Sequence, residues 1–285
     1  MLSWRVGAVT VKRIVEIEIP VAWSETEPFI AEATPEALRA IPWLYPNFVD
    51  EQDRMRLSVH ALLVEAPGLR LVVDTCIGND KARSLVRGRA LATPFLENLA
   101  EAGWSRESVN AVVCTHLHVD HVGWNTMLEN GRWVPTFPNA RYLIGRRELE
   151  HWQSVKDGEQ PQILADSVQP ILDAGLAELV EMDHRISPEV RLTPSAGHTP
   201  GHVSVIIESE GARAVITGDM THHPCQFARP EWRCYADYDA AAAIQTRRDF
   251  YARYAGTGVL VIGTHFSPPT AGHIVRDGDN YRLDC

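Results

Sequence analysis

The sequence predicts an α/β protein in which two sheets pack face to face with helices outside, and in which the chemistry sits where strands give way to loops. Three observations carry this. Apolar runs of strand length recur along the chain and interleave with stretches of helical spacing in two comparable halves. Hydrophobic residues make up 45% and charged residues 22% of the 285, so there is ample material for a packed core and no sign of general disorder. Finally, each group of potential metal ligands stands at the end of an apolar segment. One domain over 1–285 is the expectation.

Residues 4–18 alternate and are rich in Val and Ile, and 57–65 and 69–74 do the same, with Pro67-Gly68 as the turn between them; this is a β meander. Thr93 followed by Pro94 gives an N-cap with proline in the first turn. Phe95, Leu96 and Leu99 have helical spacing, and Gly103 is the stop. Residues 109–114 form a short buried strand. In the second half, 140–144, 190–194, 203–208, 212–217 and 259–262 predict strands, while 146–154, 162–174 and 239–254 predict helices. Residues 20–56 interrupt the pattern with Trp23, Phe29, Trp43, Tyr45 and Phe48 among prolines and acidic residues. Three readings stay open: a lid over the site, a contact between two copies in a homodimer, or an excursion, partly helical around 35–40, whose aromatics pack onto the body.

The formal net charge of -10, with no Lys/Arg cluster longer than a pair, excludes a nucleic-acid partner. The first residues lack the apolar stretch and cleavage site of a secretory signal and no run is long enough to span a bilayer, so the expectation is a soluble, cytoplasmic protein without a membrane partner. Five cysteines with no C-x-x-C pair argue against a disulfide framework. Cys114 lies in an apolar strand; Cys76 and Cys225 stand near site segments.

The chemistry concentrates in His116-Leu117-His118-Val119-Asp120-His121, four potential ligands in six residues. His198, Asp219 and His265 follow, each after its own apolar segment. Five imidazoles and two carboxylates are too many for one tetrahedral ion and enough for two sharing a carboxylate. Without a cation, so many imidazoles packed together would repel one another on protonation. His116 and His118 project to one side of an extended backbone and can clasp one ion, while Asp120 and His121, after the turn, can reach a second. His198 can complete the first set and His265 the second, with Asp219 bridging.

Two such divalent ions, zinc first and iron, manganese or cobalt as alternatives, can hold a hydroxide between them and polarise a carbonyl or phosphoryl oxygen. That supplies a nucleophile without serine or cysteine, in keeping with the absence of a G-x-S-x-G elbow. Asp120 and Asp219 are the catalytic candidates, Asp120 to orient the hydroxide or take its proton. Asp74, closing an apolar run, is a candidate acceptor for an imidazole N–H. His202 is a candidate to line the site or bond a ligand, and His222 and His223 are candidates to face substrate. His60, His151, His184 and His273 read as ordinary surface or core histidines.

At these residues the chain resembles the metallo-β-lactamase superfamily: Thr115-His116-Leu117-His118-Val119-Asp120-His121-Val122-Gly123, the His198 loop, Asp219 and His265 look like its successive motifs, with Asp74 matching the first. The resemblance implies a four-layer αβ/βα sandwich with a dinuclear site at one edge. It places His116, His118 and His198 on one ion, Asp120, His121 and His265 on the other, and Asp219 between. Within the superfamily, 116–125 and Gly197-His198-Thr199-Pro200-Gly201-His202-Val203-Ser204 resemble the lactonase and organophosphate hydrolase branch. Asp219 stands where zinc β-lactamases usually have cysteine, which disfavours antibiotic cleavage. Met220-Thr221-His222-His223 offers no tyrosine of the kind that assists acyl-homoserine lactonases. The expected activity is opening of a lactone or cleavage of a related ester on a small-molecule substrate. Phosphotriester or aryl ester hydrolysis is the nearest variant, and iron-dependent redox chemistry the more distant one. Trp23, Trp43, Trp124, Trp133 and Trp232 together with the acidic surface suit a neutral, apolar-tailed substrate.

Overall fold

In a computed structural model describing residues 1–285, two large sheets face each other. The first has seven strands in the order Ser3–Val6, Val9–Val21, Met55–Ala66, Leu69–Val73, Ala111–Val113, Arg141–Gly145 and Ala177–Val180. The second has six, Val190–Pro194, Val203–Ser209, Ala212–Ile216, Leu260–Ile262, Ala271–Asp277 and Asn280–Asp284. The four central and edge strands from 69 to 180 run parallel, which requires the crossover helices between them.

Side-chain alternation divides the interior into three apolar clusters and hence four layers. Leu71, Val73, Ala111 and Val113 point between the sheets against Val205, Ile207, Ala214 and Ile216. Val72 and Val112 point the other way, onto Phe95, Leu99, Leu149 and Ile163 of the helices covering the first sheet. Ile206, Val215 and Val261 face Phe250 and Tyr251 of helix Ala240–Tyr254. This is the four-layer αβ/βα sandwich that the resemblance implies. Residues 20–56 contribute Ile30, Leu38, Leu44 and Phe48 to that last cluster, around a short helix Pro35–Arg39 capped by Thr34.

The structure corrects several boundaries. Residues 4–18 are a hairpin and not one strand, because Gly7 turns the chain at φ +57° and the two arms pair from Val6 opposite Val9. Thr93 is no N-cap: its hydroxyl and N–H both donate to Asn79 Oδ1, and helix Phe95–Glu101 starts uncapped. Residues 162–174 break into Gln160–Ser167 and Gln169–Asp173, since Pro170 has no N–H to continue the first helix. The chain crosses to the second sheet only at Val190, so the strand at 141–145 belongs to the first. The C-terminal hairpin was not anticipated at all, and no helix is long and apolar enough to cross a membrane.

Candidate metal centre

All seven expected ligands converge where the two sheets meet. Strand Ala111–Val113 ends in a loop that delivers His116, His118, Asp120 and His121; the loops after Val190–Pro194, Ala212–Ile216 and Leu260–Ile262 deliver His198, Asp219 and His265. His116 Nε2, His118 Nδ1 and His198 Nε2 form a triangle with sides of 3.0, 3.2 and 2.9 Å. Asp120 lies 3.5 Å from His121 Nε2 and 3.6 Å from His265 Nε2. The Asp219 Oδ2 atom stands between the two sets, 3.8 Å from His116, 3.6 Å from His198, 3.3 Å from His121 and 3.1 Å from His265.

Outer partners turn the ligating atoms inward. His198 Nδ1 donates to Asp237 Oδ1 at 3.1 Å and His265 Nδ1 to the Ser58 carbonyl at 3.0 Å, leaving each Nε2 lone pair for the centre. Asp237 is held by the fully buried Arg247, whose guanidinium also donates to the carbonyls of Pro230 and Trp232. Asp74, at φ +57°, accepts from the Thr115 N–H and hydroxyl and lies 3.0 Å from His121 Nδ1, though off the line of a good hydrogen bond. His202 sits behind the centre: its Nε2 accepts from the Asp219 N–H at 2.8 Å and its Nδ1 donates to the Ser195 carbonyl, so it steadies Asp219 and has no free donor atom.

The remaining candidates separate. His222 is buried at the centre, its Nε2 3.5 Å from Asp219 Oδ2. His223 is not brought there; its ring faces the apolar cluster beside helix Ala240–Tyr254, where Nε2 donates to the Phe48 carbonyl and Nδ1 accepts from the Cys225 N–H. Four residues of the site escaped sequence reasoning, Trp152 among them, while none of Trp23, Trp43, Trp124, Trp133 and Trp232 lines the cavity. Asp237 and Tyr235 lie in an irregular stretch with no periodicity to read. Glu148 looks like a solvent-facing residue of helix Arg146–Ser154, yet is 1% exposed. It accepts from the Leu117 N–H and Trp152 Nε1 with one oxygen, and from the Thr199 hydroxyl and Gly201 N–H with the other. The Trp152 ring in turn packs on His118. Gly201 has to be glycine, because a Cβ there would lie 2.4 Å from the Glu148 nitrogen.

Electrostatics supports occupation by cations. Burial, reinforced by the neighbouring imidazoles, holds His116 and His118 well below the ordinary histidine value, so their lone pairs are free near neutrality. Burial likewise takes His202 and His222 down to about 3. At His121, burial pulls the same way but Asp219, Asp74 and Asp120 outweigh it and hold the ring well above its usual value. Burial raises Asp219, and His121 and His265 overcome that and hold it well below the usual carboxylate range. His121 Nε2, Asp219 Oδ1 and both ring nitrogens of His222 are buried without any hydrogen-bond partner. Orphaned atoms of this kind cost about 1–3 kcal/mol each, and a cation at the centre removes that cost. The residues therefore fit a pair of metal ions.

A cavity of about 550 Å³ opens onto the cluster. Its walls are apolar, with Ile19, Phe29, Val59, Trp152 and Ile163 prominent, its floor is His118, Asp120, Asp219 and His265, and neither Lys nor Arg lines it. Leu85 and the largely exposed Tyr235 stand at its rim.

Residues 54–265 match the family described as the Metallo-beta-lactamase superfamily. An N-acyl homoserine lactonase of a Bacillus species is 30% identical over 118 residues, 41% of this chain and 40% of that one. Another, from Bacillus thuringiensis, is 26% identical over 174 residues, 57% of this chain and 63% of its own. The chain thus spans between two fifths and two thirds of the length of these relatives. Among solved structures, the hydrolase AbOPH of the beta lactamase superfamily superposes with a TM-score of 0.80 at 23% identity, over 99% of this chain and 96% of that one. AidC, a dizinc quorum-quenching lactonase, gives 0.80 at 20% identity with the same coverage of both chains. A family match across most of the chain, on this fold and around this cluster, shows that the protein belongs to the metallo-beta-lactamase superfamily, whose members bind metal ions.

Proposed function

We propose that the protein is a metal-dependent hydrolase that opens a lactone, or cleaves a related neutral carboxylic ester, carrying an apolar tail. The observation that carries this is the joining of the His/Asp cluster to an apolar cavity with no cationic side chain in its walls. A substrate anion would find no cationic side chain in the walls and would face carboxylates such as Asp157 and Glu159, whereas a neutral acyl chain would bury its surface at roughly 25 cal/mol per Å². The names of the relatives support an N-acyl homoserine lactone as the first substrate to try.

His116, His118 and His198 would hold one ion, Asp120, His121 and His265 the other, and Asp219 both, with zinc the ion that best suits these donors. When bound, such a pair supplies Lewis acidity and a hydroxide at neutral pH. Trp152, Phe29 and Ile163 hold the apolar tail and exclude water from the floor of the cavity. Asp120, the cluster carboxylate with part of its surface open to the cavity, orients the attacking water, accepts its proton on a carboxylate oxygen and returns it to the departing alkoxide. A neutral phosphotriester fits the same walls, which carry no Lys or Arg, and is the second reading.

Metal analysis and a substrate panel test this. Protein carrying two ions should hydrolyse N-acyl lactones, with kcat/KM rising as the acyl chain lengthens, and leave an anionic β-lactam intact. Zinc-loaded protein that turns over neither lactones nor esters would overturn the reading, and a coloured iron protein would point to redox chemistry.

A further inference from the structure

His222 shares the geometry of the proposed ligands while belonging to no motif that delivers them. Its Nε2 lies 3.5 Å from Asp219 Oδ2, inside the 3.1–3.8 Å range spanned by His265, His121, His198 and His116 around the same oxygen. Donor atoms of His198, Asp219 and His222 lie within 4.8 Å of one another. The ring is 2% exposed and neither nitrogen has a hydrogen-bond partner, so nothing in the protein uses the lone pair. A buried imidazole left so is unfavourable, and a cation beside Asp219 would relieve it.

The ring is also fixed in place. The His222 N–H donates to Gln226 Oε1 at 2.8 Å, and Gln226 is itself anchored on the Trp232 carbonyl. Phe29 packs edge-on at 5.6 Å and the His198 ring lies 4.6 Å away, so the imidazole has little room to swing out. The ring also borders the cavity, but contact with substrate alone would leave both nitrogens unpartnered whenever the cavity is empty.

We propose that His222 is an eighth donor to the metal pair, on the His198 side of Asp219, so that one ion is held by four imidazoles and the other by two. This rests on the metal-centre reading above and assigns a ligand that the motifs do not. The test is metal affinity. Co²⁺ titration against a competing chelator is compared for the parent protein, His222→Phe, which preserves ring packing, and His222→Gln, which preserves polarity should the first variant fold poorly. Both variants should bind one of two ions roughly tenfold or more weaker, with a changed Co²⁺ visible spectrum, and His222→Glu should recover much of the loss by restoring a donor. Two ions bound with parental affinity and spectrum in both variants would overturn the assignment, leaving the hydrolase reading intact. A parent protein that takes up no metal would overturn both.

Discussion

At the scale of single residues, the centre is governed by one carboxylate. Asp219 Oδ2 is the atom common to both nitrogen sets, so Asp219→Ala should release or scramble both ions and abolish hydrolysis, whereas loss of a ligand to one ion should spare the other. Metal counting by mass spectrometry checks this, and two retained ions in an active Asp219→Ala protein would contradict it. The distinction between His198 and His202 is equally sharp. His198 offers its Nε2 to the centre, while His202 spends its own on the Asp219 N–H. His202→Ala should therefore lower metal affinity by about tenfold, the scale of an outer partner, and His198→Ala by much more; equal losses would reverse the assignment. The residues of the cluster were legible in the sequence because their spacing is local and their chemistry is unusual for a turn. Asp237 was not, because its carboxylate meets His198 across 39 residues and nothing in Tyr235-Ala236-Asp237 marks it.

At the scale of elements, helix Arg146–Ser154 is tied to the centre through Glu148, which joins the loop of His116 and His118 to the loop of His198. Glu148→Ala would strand four donors in the interior, at about 1–3 kcal/mol each where water cannot reach them. Urea denaturation should show a loss of several kcal/mol, with weakened metal binding by the His198 set; a loss below about 0.5 kcal/mol would show that the clamp is ornamental. The segment after Asp74 carries a different signature. Lys81 is buried against the Gly123 and Thr126 carbonyls, and burial brings its pKa down to about 7. Between that value and the ordinary lysine value of 10.5 the unfolded chain holds the proton and the folded chain does not, so this group makes stability climb as pH rises through the window. Lys81→Met should remove that climb in denaturation curves taken from pH 7 to 10, and an identical pH dependence in both proteins would refute it. Strand periodicity made most of both sheets readable, since one face of each strand is buried between them. What stayed hidden were departures from periodicity: the Gly7 turn inside an unbroken Val-rich run, and the bulge near Val15 that swings Glu16 inward onto the Ile77 and Gly78 N–H groups.

At the scale of the whole molecule, the centre joins what the chain builds separately. The first sheet contributes His116, His118, Asp120 and His121, and the second contributes His198, Asp219 and His265, so neither half holds a complete set. Metal bound to the native arrangement and not to the unfolded chain stabilises by mass action, about 2.7 kcal/mol per ion at a hundredfold excess over its dissociation constant. The apolar contact between the sheets includes none of the candidate ligands, so the apoprotein should remain folded, but with ligand loops that repel one another and a lower melting temperature. For a chain of this size, stripping both ions should lower Tm by roughly 10 °C, and zinc should restore it. Asp219→Ala supplies the control: already deprived of the shared carboxylate, it should melt at nearly the same temperature with or without chelator. Should chelator leave the parental Tm unmoved while metal analysis shows both ions gone, the cluster would be a site seated on a finished scaffold. A drop confined to the parent protein would show that the cations help hold the two sheets together at the rim where catalysis is proposed.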